Sequence, residues 1–309
     1  MIRTFATSVL IGAAIGCASS TPKESTSAKM PVTSAEALDE IEAFRERFGL
    51  PPPPPPTSPT SLVEVREVIR SDELHRYPVA RSYTDGQTGV DALTLRSLLE
   101  LTSASGIRTV KRVLAEQRKQ LETETSQLQL RSSLTDADRA RLEDLQERVA
   151  AYYRVDRALL ILFRSNLEAG TLLAKEVLRR FPNHSEGHVA AAFSHRLQPN
   201  WAKFGQEDDY LRANGVEGPV VAFLRAMAEW ERGRRLESCR QRLIALRNQY
   251  PELIRVQAEL VLLQDDIEET WAELKRLEQA SPDHFLVRLA GPSIEREYQS
   301  ARSIRSAVQ

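Results

Sequence analysis

Residues 107–163 read IRTVKRVLAEQRKQLETETSQLQLRSSLTDADRARLEDLQERVAAYYRVDRALLILF, and two apolar stripes in this stretch decide the fold class. Ile107, Val110, Leu114, Gln117, Leu121, Glu124 and Leu128 recur at alternating steps of three and four. Leu142, Leu145, Val149, Tyr152, Asp156, Leu159 and Phe163 do the same. That period puts each set on one face of an α-helix, as in a heptad seam. Gln117, Glu124 and Asp156 are polar defects in the seams. Ser132–Asp138 carries the turn, and Thr135-Asp136-Ala137-Asp138 can cap the second helix. A short link between two striped helices predicts a long antiparallel helical hairpin over 107–165. The same seams could instead join chains into a homo-oligomer, and polar seam residues select register in either case.

Composition agrees with an all-α chain. Aromatic residues are 6% and glycines only 13 of 309, too few for a sandwich or barrel of many turns. Lys and Arg number 42 against 43 Asp and Glu, so no overall positive field exists to hold nucleic acid. Cys17 and Cys239 are the only cysteines, which excludes a disulfide framework and a Cys-based zinc site. The 16 prolines divide the chain unevenly: nine fall in residues 1–59.

Outward toward the N-terminus, Arg3 precedes an apolar run, Thr4–Gly16, that is too short to span a bilayer as a helix. It ends Ala14-Ile15-Gly16-Cys17. Residues 1–16 resemble a bacterial lipoprotein signal peptide, departing from it at Ala14, where Leu is usual. The resemblance implies lipidation of Cys17, and the lack of Asp at position 18 implies outer-membrane sorting with the chain facing the periplasm. Tri-acylation would anchor it stably, since each buried methylene contributes about 0.8 kcal/mol. Secretory cleavage near Ala18–Ser20 and an unprocessed anchor are the alternatives. Residues 17–60 are expected as a disordered, Pro-rich tether. Within it, Thr33-Ser34-Ala35-Glu36 forms a capping-box pattern. Leu38, Ile41, Phe44 and Phe48 then predict a short amphipathic helix ending at Gly49. That helix either docks on its own domain or serves a partner or membrane. Pro51–Pro56 predicts a stiff polyproline spacer.

Residues 61–106 are expected as a helix-and-loop lead-in. Helices are predicted at Leu62–Arg76 and Asp91–Leu101, a loop at Tyr77–Gly89, and an interruption at Ser103–Gly106.

Beyond the hairpin, Phe181-Pro182, Gly218-Pro219, Tyr250-Pro251 and Ser281-Pro282 punctuate the chain at intervals of 37, 32 and 31 residues. The residues before the prolines fall into a pattern of large and small positions. Ala158, Ile161, Gly170 and Val177 precede Pro182; Phe223, Ala226, Trp230, Cys239, Leu243 and Leu246 precede Pro251; Ala258, Val261, Leu274 and Leu277 precede Pro282. The stretch 151–290 thus resembles degenerate tetratricopeptide repeats, whose period is about 34. The resemblance implies an α-solenoid of three to four irregular helical pairs and a scaffolding role without catalysis. Gln198–Gly215 fits poorly and is expected as an inserted loop, and residues 291–309 as a C-terminal tail.

The search for chemistry returns few candidates. No Gly-rich phosphate loop, HExxH, GxSxG or CxxC occurs, so no enzyme, no cofactor and no metal centre is expected. His184, His188 and His195 are the one cluster spaced as a metal trio could require, set against a polar helix rim. Arg232, Arg234, Arg235, Arg240, Arg242 and Arg247 form a local basic cluster. Arg234, Arg235, Arg242 and Trp201 are the candidate partner-binding residues, against a solvated face with internal ion pairs. Asp265, Asp266, Glu268 and Glu269 read as a helix N-terminus. Cys239 reads as a packing residue. The layout resembles that of envelope-coordinating lipoproteins, implying an adaptor that docks cell-envelope proteins or peptides. A small-ligand-binding accessory lipoprotein of a solute-uptake system is the alternative.

Overall fold

A computed structural model describes residues 33–50, 52–233 and 235–308. The signal, Cys17, residues 18–32, Pro51 and Arg234 lie outside the described residues. Those described are all-α: twelve α-helices and no strand. None of these helices is long and apolar enough to cross a membrane.

Helix α1 spans Ser34–Arg47. Thr33 Oγ1 accepts from the Glu36 amide while Glu36 accepts from the Thr33 amide, so the capping box forms as read. Gly49 takes φ +62 just past the helix end. Phe44 and Phe48 set their rings 5.0 and 5.1 Å from Tyr152, which docks α1 on its own chain.

Helix α2 spans Leu62–Ser71 and stops at Asp72, whose φ of 54 is left-handed. A 3-10 turn at Leu74–Arg76 leads into α3, Tyr77–Asp85. The loop expected at Tyr77–Gly89 is therefore helical over most of its length. Pro78 sits in the first turn of α3, where its missing amide has no helical bond to lose.

Helix α4 runs unbroken from Val90 to Gln129, through the interruption expected at Ser103–Gly106. Those small residues are buried rather than looped out. A Cβ on Gly106 would stand 2.5 Å from a Leu74 methyl, and Ser103 accepts a 2.8 Å hydrogen bond from Asn166. Smallness there admits neighbours. Helix α5 runs from Asp136 to Arg180 behind the Thr135–Asp138 capping box. The two long helices pack in opposite directions: Lys111 pairs with Asp156 at 2.9 Å, Tyr152 donates to Gln117 at 3.2 Å, and Arg141 pairs with Glu124. All three polar seam defects thus find partners across the pair, inside one chain. The Ala158–Val177 repeat positions lie within α5, with no turn dividing them.

Seven helices follow: α6 (Ser185–Leu197), α7 (Trp201–Ala213), α8 (Pro219–Gly233), α9 (Leu236–Gln249), α10 (Ile254–Leu262), α11 (Ile267–Ala280) and α12 (Phe285–Val308). The segment expected as an inserted loop is mostly α7, begun by Asn200, which accepts from the Lys203 amide. Most of the expected C-terminal tail belongs to α12, with Pro292 inside it. Consecutive helices pack as neighbours: α6 on α7, α8 on α9, α10 on α11, and α11 on α12.

One corner recurs three times. Phe181, Tyr250 and Ser281 each precede a proline and adopt φ near −134, −135 and −151 with ψ of 73, 70 and 82. The proline ring disfavours helical φ/ψ in the residue before it, and each of these three helices stops there. Each amide still reaches back to a buried residue, Val177, Leu246 or Leu277. Each carbonyl accepts from the amide three residues on, His184, Leu253 or His284. Gly218-Pro219 differs: Gly218 takes φ +151 and Pro219 opens α8.

The main core joins α4 and α5 to α6–α10 around Leu101, Phe193, Leu224, Met227, Cys239 and Leu260. A buried polar knot crosses it. Asp72 accepts from Tyr77 Oη at 3.1 Å and from Arg255, which also donates to the Thr102 carbonyl at 3.0 Å. His284, fully buried, places Nε2 3.7 Å from Asp72. Burial pushes the Asp72 carboxyl up, but Arg255 and His284 outweigh it and hold it below its ordinary range. Burial, reinforced by Asp72, raises the Tyr77 phenol well above its usual value.

Candidate functional site

Helices α7, α8 and α9 line an open cavity of about 570 Å³. Trp201 and Phe204 come from the first turn of α7, their rings 6.3 Å apart and edge-to-face. Ala228 and Glu229 come from α8, and Arg235 and Arg242 from the start and middle of α9. Three of the four residues expected to meet a partner, Trp201, Arg235 and Arg242, therefore line one cavity. Arg234 lies outside the described residues.

The wall is strongly basic. Arg212, Arg225, Arg232, Arg235 and Arg242 line it against Asp208 and Glu229, an excess of three positive charges. Asp208 accepts from Arg225 at 2.5 Å and from Arg212 at 2.9 Å. Glu229 accepts from Ser238 at 3.2 Å and pairs with Arg242 at 3.0 Å and, more loosely, Arg235 at 4.0 Å. Asp208 and Glu229 are each shared between two guanidiniums, while Arg225 also pairs with Glu217 at 3.3 Å, so Arg232, Arg235 and Arg242 carry most of the excess. Arg225 Nη2 is buried and has no hydrogen-bond partner. Arginine forks match carboxylate and phosphate oxygens in pairs, and the half-buried rings of Trp201 and Phe204 beside them give an apolar landing for the rest of a ligand. The arrangement suits an anionic group carried on a partly apolar partner.

Sequence reasoning missed Phe204, Arg212 and Arg225. Phe204 and Arg212 lie in the stretch expected as a loop and reach the cavity through the folding of α7, while Arg225 lies two turns before Arg232 on α8. The rest of that cluster turns elsewhere. Arg240 donates to the Leu263 carbonyl and pairs with Asp265, both at 2.5 Å, and Arg247 pairs with Glu273 at 2.5 Å. Asp266 caps α11, accepting from the Glu268 and Glu269 amides.

The three histidines part company. His188 bonds Glu207 at 2.6 Å and the Pro182 carbonyl at 2.8 Å, and stacks on Tyr210. His195 is lowered by burial, and its Nδ1 has no partner. His184 instead approaches Asp91 and Glu186, their ligand atoms within 4.8 Å of one another. A guanidinium already holds Glu186, since Arg66 lies 3.2 Å away.

Cys239 is fully buried, and burial pushes its thiol up to about 12. Nearby, Glu231 receives Arg196 and Arg108, both at 2.9 Å. Burial pushes its carboxyl up, but the two arginines outweigh burial and lower it. No protein family, curated protein or solved structure matches this chain.

Proposed function

We propose that this chain is a lipid-anchored periplasmic scaffold that binds other cell-envelope proteins through its C-terminal helical pairs, without catalysis. The observation that carries the reading is the convergence of Trp201, Arg235 and Arg242 on one basic, aromatic-lined cavity. A partner presenting an acidic segment fits it. The three matching X-Pro corners and the packing of α6 on α7, α8 on α9, α9 on α10 and α10 on α11 support an α-solenoid similar to tetratricopeptide repeats, with α5 as an undivided first element. The cross-helix partners of Gln117, Glu124 and Asp156 support an intramolecular hairpin over 107–165 rather than a coiled coil between chains. Lipidation at Cys17, outer-membrane placement and a Pro-rich tether complete the reading and rest on the sequence.

Proximity labelling from the full-length anchored chain tests it. Wild type is expected to label envelope proteins. Cys17→Ser should lose membrane fractionation, and Arg235→Gln/Arg242→Gln should lose specific neighbours while staying anchored. Membrane fractionation of Cys17→Ser, or an unchanged neighbour set for the arginine variant, would count against the corresponding part. The alternative reading, a small-ligand-binding accessory protein, is favoured by a separate groove between α4 and α12.

A further inference from the structure

A groove of about 730 Å³ lies between α4, the α10–α11 turn and α12. That volume lies within the range of sites for drug-sized molecules, roughly 300–1,000 Å³. Its floor is apolar: Val113, Val261 and Ala290 are buried there, and Ile294 is partly buried beside them. Ile304 stands 64% exposed at its edge.

Most of the charges on its walls are already satisfied. Arg112 pairs with Glu259 at 3.1 Å, Arg305 with Glu268, and Asp265 with Arg240 at 2.5 Å. Asp266 is spent on the α11 amides. Glu116 on α4 and Glu297 on α12 remain, and neither has an ion-pair or hydrogen-bond partner among the described residues. Burial, and then the like charge of Glu116, hold the Glu297 carboxyl above its ordinary range. Two carboxylates that repel each other over an apolar floor are complementary to a positive charge on an apolar body.

We infer that this groove binds a small organic cation, its ammonium between Glu116 and Glu297 and its apolar body on Val113, Val261 and Ile294. This site is on helices separate from the basic cavity, so it stands or falls independently of the scaffold reading.

Fluorescence titration of the full chain with 1-naphthylmethylammonium, 1-naphthylmethanol and 1-naphthoate tests it. These probes share a ring and differ in charge. The ammonium is expected to bind about five-fold or more tighter than the alcohol, and the carboxylate more weakly than either, as near-surface charge pairs allow. Glu116→Gln and Glu297→Gln should each shrink the ammonium's advantage and leave the alcohol unchanged. Neither side chain has a hydrogen bond or ion pair to lose among the described residues, so circular dichroism should be unaltered. Equal binding of the three probes, no binding, or an advantage retained in both Gln variants would overturn the site. Tighter binding of a lysine-bearing amphipathic peptide would overturn its assignment to a small molecule.

Discussion

Replacing one glycine by alanine in each of two helices should shift stability in opposite directions. Alanine is favoured over glycine inside a helix by about 1 kcal/mol, and this gain applies at both sites. At Gly205, inside α7, a Cβ would meet nothing within 4 Å, so the gain should appear almost whole. At Gly170, inside α5, a Cβ would lie 2.7 Å from Leu101 Cγ and 3.1 Å from Glu100 Cβ. Neither is the free end of a side chain: Leu101 is fully buried, and both atoms are fixed to α4. Relief requires α4 and α5 to separate, and overpacking of this kind costs about 1–3 kcal/mol. Separation also strains the 2.8 Å bond from Ser97 to the Gly170 carbonyl, another contribution of about 1 kcal/mol. Gly170→Ala should therefore lose about 1–3 kcal/mol net while Gly205→Ala gains up to about 1 kcal/mol. Urea unfolding followed by far-ultraviolet circular dichroism reads both as midpoint shifts at unchanged slope. If Gly170→Ala proves as stable as Gly205→Ala, the close approach of α4 and α5 is wrong.

Asp72→Asn keeps a residue that tolerates left-handed backbone but leaves Arg255 buried beside a neutral group, so urea unfolding should show a loss of about 3–5 kcal/mol. Adding Arg255→Met should recover part of it; no recovery would mean the charge is not the cause. Stability should fall as pH drops from about 7.5 to about 5.5, because His75 and His195 are held below the ordinary histidine value by burial. The unfolded chain then binds more protons than the folded one through that window, and His195→Gln should flatten the slope of denaturation free energy against pH. Iodoacetamide at neutral pH should leave Cys239 unmodified in the native protein, since its thiol is buried and raised to about 12, and modify it on unfolding. Rapid native alkylation, read by peptide mass spectrometry, would place it nearer the surface.

The two long helices were legible because their apolar stripes persist over many turns and their caps are spelled out by Thr135 and Asp138. Their extent was not. Ser103–Gly106 looks like a breaker because serine and glycine have weak helical preference, yet burial against Leu74 and Asn166 overrides that preference. Pro78 was misleading for a related reason, since a proline in a first turn does not oppose a helix. Helix α7 escaped notice because only Leu211 is fully buried along it, so it has almost no apolar stripe to read. The X-Pro corners were visible from their spacing, whereas the unbroken passage of α5 through Gly170 was not, because its glycine serves packing rather than a turn.

The same contrast holds for the candidate site. The basic cluster was evident along the chain, but burial and ion pairing divide it. Arg240 and Arg247 are drawn to α10–α11 carboxylates and carbonyls, while Arg235 and Arg242 pair with Glu229 of α8 at the cavity. The uncompensated pair Glu116 and Glu297 was invisible in sequence because 181 positions separate its members.

The most direct measurement is the affinity of a fluorescein-labelled acidic peptide, twelve residues of alternating Glu and Leu, for the full-length chain by anisotropy at two salt concentrations. Saturable, salt-sensitive binding that Arg235→Gln/Arg242→Gln and Trp201→Ala each weaken, with circular dichroism unchanged, is the result the account predicts. Binding that is absent, or equal in wild type and both variants, would contradict the claim that the α7–α9 cavity is the partner surface.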